Sequence, residues 1–145
     1  MNCRGHRAVK PLRLLQINVG RGGPSHDLAL ALAQEEHIDL LLVQEPYIFH
    51  EHHRRITKRH PLYECFSPID DWATRPRVLT YLRKGAGLQA EQSRPLPSNS
   101  DVSRDLLFLT VTSPSGNNIL IINIYNALVG STGAGTAIQA LTLLP

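Results

Sequence analysis

The sequence predicts an α/β fold, and three observations predict it. Leu12–Asn18, a glycine-rich turn, a helical stretch and Asp39–Glu45 follow one another directly, which is the layout of a β-α-β unit. Three apolar runs, Leu12–Ile17, Leu40–Val43 and Ile119–Ile122, each end on polar side chains: Asn18, then Gln44 and Glu45, then Asn123, Tyr125 and Asn126. Strands buried on both faces need apolar residues throughout, so polar groups gathered at their ends mark a shared rim. Finally, 145 residues with 42% hydrophobic and 19% charged content make one ordinary globular domain. Folding at that length removes roughly 70% of the extended chain's surface from water.

Each element has its own local reason. Residues 1–11 form a basic N-terminal extension carrying Arg4, Arg7 and Lys10, with neither the apolar core nor the cleavage site of a secretory signal. Leu12–Asn18 reads as a strand, and Gly20-Arg21-Gly22-Gly23-Pro24 as the turn after it. Ser25 is placed to cap a helix, with Asp27 in its first turn and Leu28, Ala31, Leu32 and Glu35 at helical spacing. Asp39–Glu45 is the next strand, parallel to the first through a right-handed crossover, so Asn18 and Glu45 should meet at one edge. After Pro46 the periodicity lapses until Leu62–Ser67, leaving a long loop. Arg77–Lys84 alternates as a strand and ends at Gly85–Gly87. Gln89–Asp101, rich in proline and serine, reads as a surface connection. Leu106–Thr112 and Asn118–Asn126 form a hairpin through Ser113–Asn117, and Ala134–Leu144 a helix with Ile138, Leu141 and Leu144 inward.

Composition narrows the function. No apolar run approaches the roughly 20 residues of a membrane span, so a soluble protein is expected. Cys3 and Cys65 alone give no disulfide framework, which favours a reducing compartment. The net charge is +3, and its densest cluster is Arg54, Arg55, Lys58 and Arg59 among His50, His52, His53 and His60. Such a loop suits a polyanion, because neutralised phosphates release counterions. Three sharper readings fail. His50-Glu51-His52-His53-Arg54 has arginine where a metalloprotease helix needs its second histidine, and the neighbouring cations repel zinc. Gly130–Thr136 lacks the lysine of a nucleotide-binding loop. Ser25-His26-Asp27 cannot be a triad, since adjacent residues on a helix do not converge.

The rim residues carry the chemistry. Glu45 directly follows Leu40-Leu41-Leu42-Val43-Gln44, and a carboxylate there must be solvated or paired with a cation. Hard oxygen donors of this kind suit magnesium, which takes one or two carboxylates and keeps several waters. Asn18 shares a strand face with Gln16, and a carboxamide there can ligate a metal or donate to phosphate. Tyr125 can place its hydroxyl on a phosphoryl oxygen.

Taken jointly, Leu14-Leu15-Gln16-Ile17-Asn18, Leu42-Val43-Gln44-Glu45-Pro46-Tyr47 and Ile121-Ile122-Asn123-Ile124-Tyr125-Asn126 resemble the endonuclease/exonuclease/phosphatase superfamily. They are most similar to the endonuclease domain of non-LTR retrotransposons, over about Leu12 to the end of the chain. The resemblance implies a DNase-like sandwich of two sheets flanked by helices, here partial over residues 12–145 and incomplete at its C-terminus. It also implies metal-dependent hydrolysis of DNA phosphodiesters, with Mg2+ or Mn2+ at Glu45 and Asn18. By position Asn18, Glu45 and Tyr125 are the catalytic residues, and Arg54, Arg55, Lys58 and Arg59 would bind substrate. The family's Gly-Asp-x-Asn and Ser-Asp-His segments, which supply the nucleophile-orienting groups and the general base, do not occur in these 145 residues. An isolated chain of this kind is expected to be inactive, since a positioned base contributes roughly 10²–10⁴-fold. DNA in the nucleus and the reverse-transcriptase region of a parent element are the implied partners. A non-catalytic nucleic-acid-binding remnant, or a phosphatase or phosphodiesterase of the same superfamily, is the alternative.

Overall fold

The computed structural model describes residues 11–98, 100–126, 137–142 and 144. The elements run β1 (Leu14–Asn18), α1 (Gly23–Glu35), β2 (Leu40–Gln44), β3 (Ile48–Glu51), β4 (Arg54–Thr57), β5 (Tyr63–Phe66), β6 (Val78–Arg83), β7 (Gln89–Ser93), β8 (Leu106–Thr112), β9 (Asn118–Ile124) and α2 (Ala137–Thr142). One sheet has the order β1-β2-β6-β5 and a second has β7-β8-β9, with β3 and β4 forming a separate hairpin. Among the described strands only β1 and β2 pair in parallel, in the register Asn18 against Gln44; the other pairs are antiparallel.

Alternation along β2 sorts its side chains between two cores. Leu41 and Val43 join Ala29, Leu30 and Ala33 of α1 with Leu79 and Tyr81 of β6. Leu40 and Leu42 point the other way, onto Leu109 and Val111 of β8. A third cluster packs Leu106 and Phe108 against Ala140, Leu141 and Leu144. The layers are therefore helix, sheet, sheet, helix, the expected two-sheet α/β sandwich. No helix among the described residues is long and apolar enough to cross a membrane.

Several local expectations are corrected. The helix α1 begins at Gly23 with Gly22 as its N-cap and no side-chain cap, while the Ser25 hydroxyl donates to the carbonyls of Val19 and Gly22. Asp27 lies beyond the first turn and pairs with Lys58 at 3.0 Å. The buried stripe is His26, Ala29, Leu30 and Ala33, whereas Leu28 is 68% and Leu32 38% exposed. Small Ala29 and Ala33 let the helix lie close to the sheet, so the leucine face turns outward. The stretch after Pro46 is not structureless, since His52 and His53, both at positive φ, close the two-residue loop of β3–β4. Gln89–Ser93 is an edge strand held by β8 despite its polar sequence. In α2, Leu141 packs inward but Ile138 is 44% exposed. Full burial holds for β2 alone of the three runs, because β1 alternates between exposed and half-buried residues and β9 is largely accessible. Residues 1–10 of the N-terminal extension and the start of the expected last helix, residues 134–136, lie outside the described residues.

A buried polar chain ties α1 to the segment after β2. His26 Nδ1 accepts from the Tyr47 backbone N–H at 3.0 Å, so the proton sits on Nε2, which donates to the Tyr81 hydroxyl at 2.9 Å. Tyr81 in turn donates to the Lys58 carbonyl at 2.7 Å. Burial lowers the His26 pKa to about 4, opposed by Asp27 and aided by Lys58, so the ring is neutral near pH 7.

Candidate active site

At the C-terminal end of β2 the chain turns sharply. Glu45 takes φ 50°, a left-handed conformation costly for a residue with a Cβ and doubly so before proline. Two backbone bonds hold it there: its N–H donates to the Arg77 carbonyl at 2.9 Å, and its carbonyl accepts from the Arg21 N–H at 2.7 Å. This turn carries the carboxylate out of the sheet toward the end of β9. The Tyr125 hydroxyl donates to Glu45 Oε1 at 2.8 Å, across 80 positions of sequence. That bond to the carboxylate, with burial added, raises the Tyr125 pKa against the opposing pull of Arg77.

Beneath this pair lies a second polar contact, fully inside the sandwich. Gln44 Nε2 donates to Asn123 Oδ1 at 2.5 Å, and Asn123 Nδ2 donates to the Leu79 carbonyl at 2.9 Å and to Thr80 Oγ1 at 3.2 Å. The polar ends of β2 and β9 thus divide their work: Gln44 and Asn123 join the sheets, while Glu45 and Tyr125 reach the rim.

Asn18 sits on the neighbouring strand end, exposed, with its Oδ1 accepting the Gly20 N–H at 2.8 Å. It shapes the glycine turn directly beside Glu45, because the Val19 N–H donates to the Gln44 carbonyl at 3.0 Å. Glu45 and Tyr125 thus meet directly, while Asn18 stands on the strand end paired with Gln44 and spends its side-chain oxygen on the glycine turn.

Sequence reasoning leaves out two residues that complete this corner. Arg77, just before β6, places its Cζ 5.1 Å from the Tyr125 ring centroid. Its Nε stands 2.9 Å from Oδ1 of Asp105, a side chain only 2% exposed, although the N–H is not aligned on that oxygen. Burial raises the Asp105 pKa, with Arg77 and Arg104 working against it. The Tyr125 N–H donates to the Asp105 carbonyl at 2.9 Å, so Glu45, Arg77, Asp105 and Tyr125 form a closed circuit of contacts. These contacts join segments far apart in the chain, and no short motif announces them.

The four basic side chains of the cluster are held in different ways. Arg55 Nη1 donates to the carbonyls of Trp72 and Ala73 at 2.8 and 2.5 Å, tying down the loop after β5. Lys58 pairs with Asp27 and lies 5.4 Å from the Tyr47 ring centroid. Arg54 and Arg59 are exposed and form no ion pair among the described residues. They flank a groove of about 1250 Å³ that also meets His53, Lys84 and Arg94 but not Asn18, Glu45 or Tyr125.

Among the described residues no three histidine, cysteine or acidic side chains converge, so they offer no closed metal cage. Glu45 is half-buried, and its second carboxylate oxygen meets no hydrogen-bond partner among the described residues. One open carboxylate oxygen fits a magnesium ion that keeps most of its water, and does not fit zinc.

Comparison with known proteins agrees with this fold. No protein-family profile matches the sequence, and no curated protein matches it. The structure is similar to the endonuclease domain of TRAS1, a telomere-specific non-LTR retrotransposon, with a TM-score of 0.60 and 16% identity over 81% of this chain. The matched part spans 45% of that domain. The fold is DNase-like.

Proposed function

We propose that the chain carries the metal-ligating part of a phosphodiester-cleaving domain of the retrotransposon endonuclease type, with DNA as substrate. The contact of Tyr125 with Glu45 supports this most directly, because it fixes a carboxylate with one free oxygen at a strand-end rim. Glu45 would hold Mg2+ or Mn2+ through that free oxygen, with Asn18 bordering the ion. When bound, the ion neutralises charge developing on the phosphoryl group. Tyr125 holds the carboxylate in one rotamer by donating its single hydroxyl proton to it. The Gln44 and Asn123 contact sets the spacing of the two strand ends. None of these side chains is placed to activate water, so turnover requires groups beyond them.

The test is supercoiled-plasmid nicking in Mg2+ and in EDTA, with Mg2+ binding followed by NMR, for the chain and for Glu45→Ala. The expected result is saturable Mg2+ binding lost in Glu45→Ala, with no nicking by either protein. Nicking that needs both metal and Glu45 would overturn the requirement for further groups. Absence of Glu45-dependent metal binding would overturn the metal site itself.

A non-catalytic nucleic-acid-binding role is the second reading. The groove flanked by Arg54 and Arg59, separate from the rim, supports it. It predicts salt-sensitive DNA binding indifferent to Glu45 and to magnesium.

A further inference from the structure

A second groove, of about 1030 Å³, runs between the loop before β6 and the segment leading into β8. Arg77 and Asp105 both line it, together with Thr74, Ser100, Ser103 and Arg104. Arg77 belongs both to this groove and to the Glu45–Tyr125 corner, since its guanidinium lies over the Tyr125 ring.

The way Arg77 is held bears on its use. Its backbone is fixed at both ends, the carbonyl accepting from Glu45 and the N–H donating to the Arg104 carbonyl at 2.9 Å. Its Nε faces buried Asp105, and its guanidinium lies over an aromatic ring. Beyond Asp105 and Tyr125 the group meets no partner among the described residues, and about a quarter of the side chain is exposed. A guanidinium whose Nε faces Asp105 and which also bonds the Tyr125 side chain still has N–H donors left in the same plane, and these can match the oxygens of a phosphate. The contact with Asp105 runs through an Nε whose N–H is not aligned on the carboxylate oxygen.

We infer that Arg77 is the phosphate-binding cation of the rim, receiving non-bridging oxygens of a phosphodiester whose strand enters along this groove, with Asp105 as its positioning residue. The inference rests on the phosphodiester reading above and adds a second positive group to the metal at Glu45. Thr74 and Ser100 line the groove that the flanking backbone would follow, as do the carboxylates of Asp70, Asp71 and Asp101, of which Asp70 is paired with Arg94.

The experiment monitors Arg side-chain Nε–Hε resonances and backbone amides while d(TpT) is titrated in Mg2+, for wild type, Arg77→Lys, Arg77→Gln, Asp105→Asn and the Arg77→Gln/Asp105→Asn double variant. A 12-base-pair duplex supplies the salt dependence. In wild type the Arg77 Nε resonance should move saturably along with the amides of Glu45 and Tyr125. Arg77→Gln should weaken d(TpT) about tenfold or more, as for loss of a charge-assisted pair. Its slope of log affinity against log salt should fall by about 0.9, while Arg77→Lys keeps the slope but not the affinity. Asp105→Asn should weaken binding severalfold with the slope unchanged. The double variant leaves no uncompensated buried charge, so near-UV circular dichroism on it separates lost binding from lost folding. If Glu45 and Tyr125 amides respond while the Arg77 resonance stays still, or Arg77→Gln binds as wild type, the inference fails and the phosphodiester reading stands. If no rim resonance responds in wild type, the phosphodiester reading has failed and takes the inference with it.

Discussion

Gln44 Nε2 lies 2.5 Å from Asn123 Oδ1, joining the end of β2 to β9 through the middle of the sandwich. Both side chains are almost wholly buried, and Asn123 donates its own amide to Leu79 and Thr80. A buried carboxamide is tolerated only when its hydrogen bonds are made, so this contact enforces one register between the sheets. The rim pair Glu45 and Tyr125 inherits that register.

Breaking one side of the contact should therefore hurt more than removing both. Asn123→Leu leaves the Gln44 amide unsatisfied and should cost about 2 kcal/mol of unfolding free energy. The Gln44→Leu/Asn123→Leu double variant should cost less than the sum of the single changes. Urea denaturation of the four proteins measures the coupling.

The Tyr125 hydroxyl reports on the rim in the same way. Tyr125→Phe should lower stability by about 1 kcal/mol at pH 7, since a half-exposed carboxylate loses one donor but recovers water. It should also loosen the Glu45 side chain, visible as an altered side-chain carboxylate chemical shift at pH 7. An unchanged Glu45 signal would show that the bond does not form in solution.

Acid should weaken the fold through His26. Its folded pKa of about 4 lies below the ordinary 6.5, so the unfolded chain binds the extra proton first as pH falls. The contribution is complete above about pH 6.5, declines as pH drops toward 4, and does not decline further below that. The full difference is on the order of 3 kcal/mol. Urea midpoints from pH 7.5 to 4.5 should fall in wild type, and the slope should flatten in His26→Leu even though that protein starts less stable.

The four cations of the basic cluster should separate by role. Arg54→Gln and Arg59→Gln should each reduce the salt slope of DNA binding by about 0.9, with unchanged melting temperature. Arg55→Gln should instead cost about 2 kcal/mol of stability, because the Trp72 and Ala73 carbonyls lose their donor. Equal effects of all four on binding would show that the cluster acts as one surface after all.

How much of this is legible in the sequence varies with the range of the interactions. The β1-α1-β2 unit is readable because the apolar period changes across a glycine turn, and the parallel pairing of Asn18 with Gln44 agrees with that connection. The phase of α1 is misleading because leucines outweigh alanines on any hydrophobicity count, yet it is Ala29 and Ala33 that meet the sheet. The strand β7 has no apolar alternation of its own, and its conformation is imposed by pairing with β8. The β3–β4 turn uses two histidines at positive φ where Asn-Gly would be the usual signal. At the site, Glu45, Asn18 and Tyr125 are visible as polar ends of apolar runs. Arg77 and Asp105 are not, because a contact between distant segments is all that singles them out.

The left-handed turn at Glu45 sets folding and chemistry against each other. A residue at φ 50° that precedes a proline is a place where glycine or asparagine would relieve the backbone. Replacing the glutamate by glycine would relieve that strain but release the Tyr125 hydroxyl, so the two effects on stability oppose one another. Position 45 therefore separates two requirements: unfolding of Glu45→Gly reads the backbone strain, and metal binding by the same variant reads the need for the carboxylate.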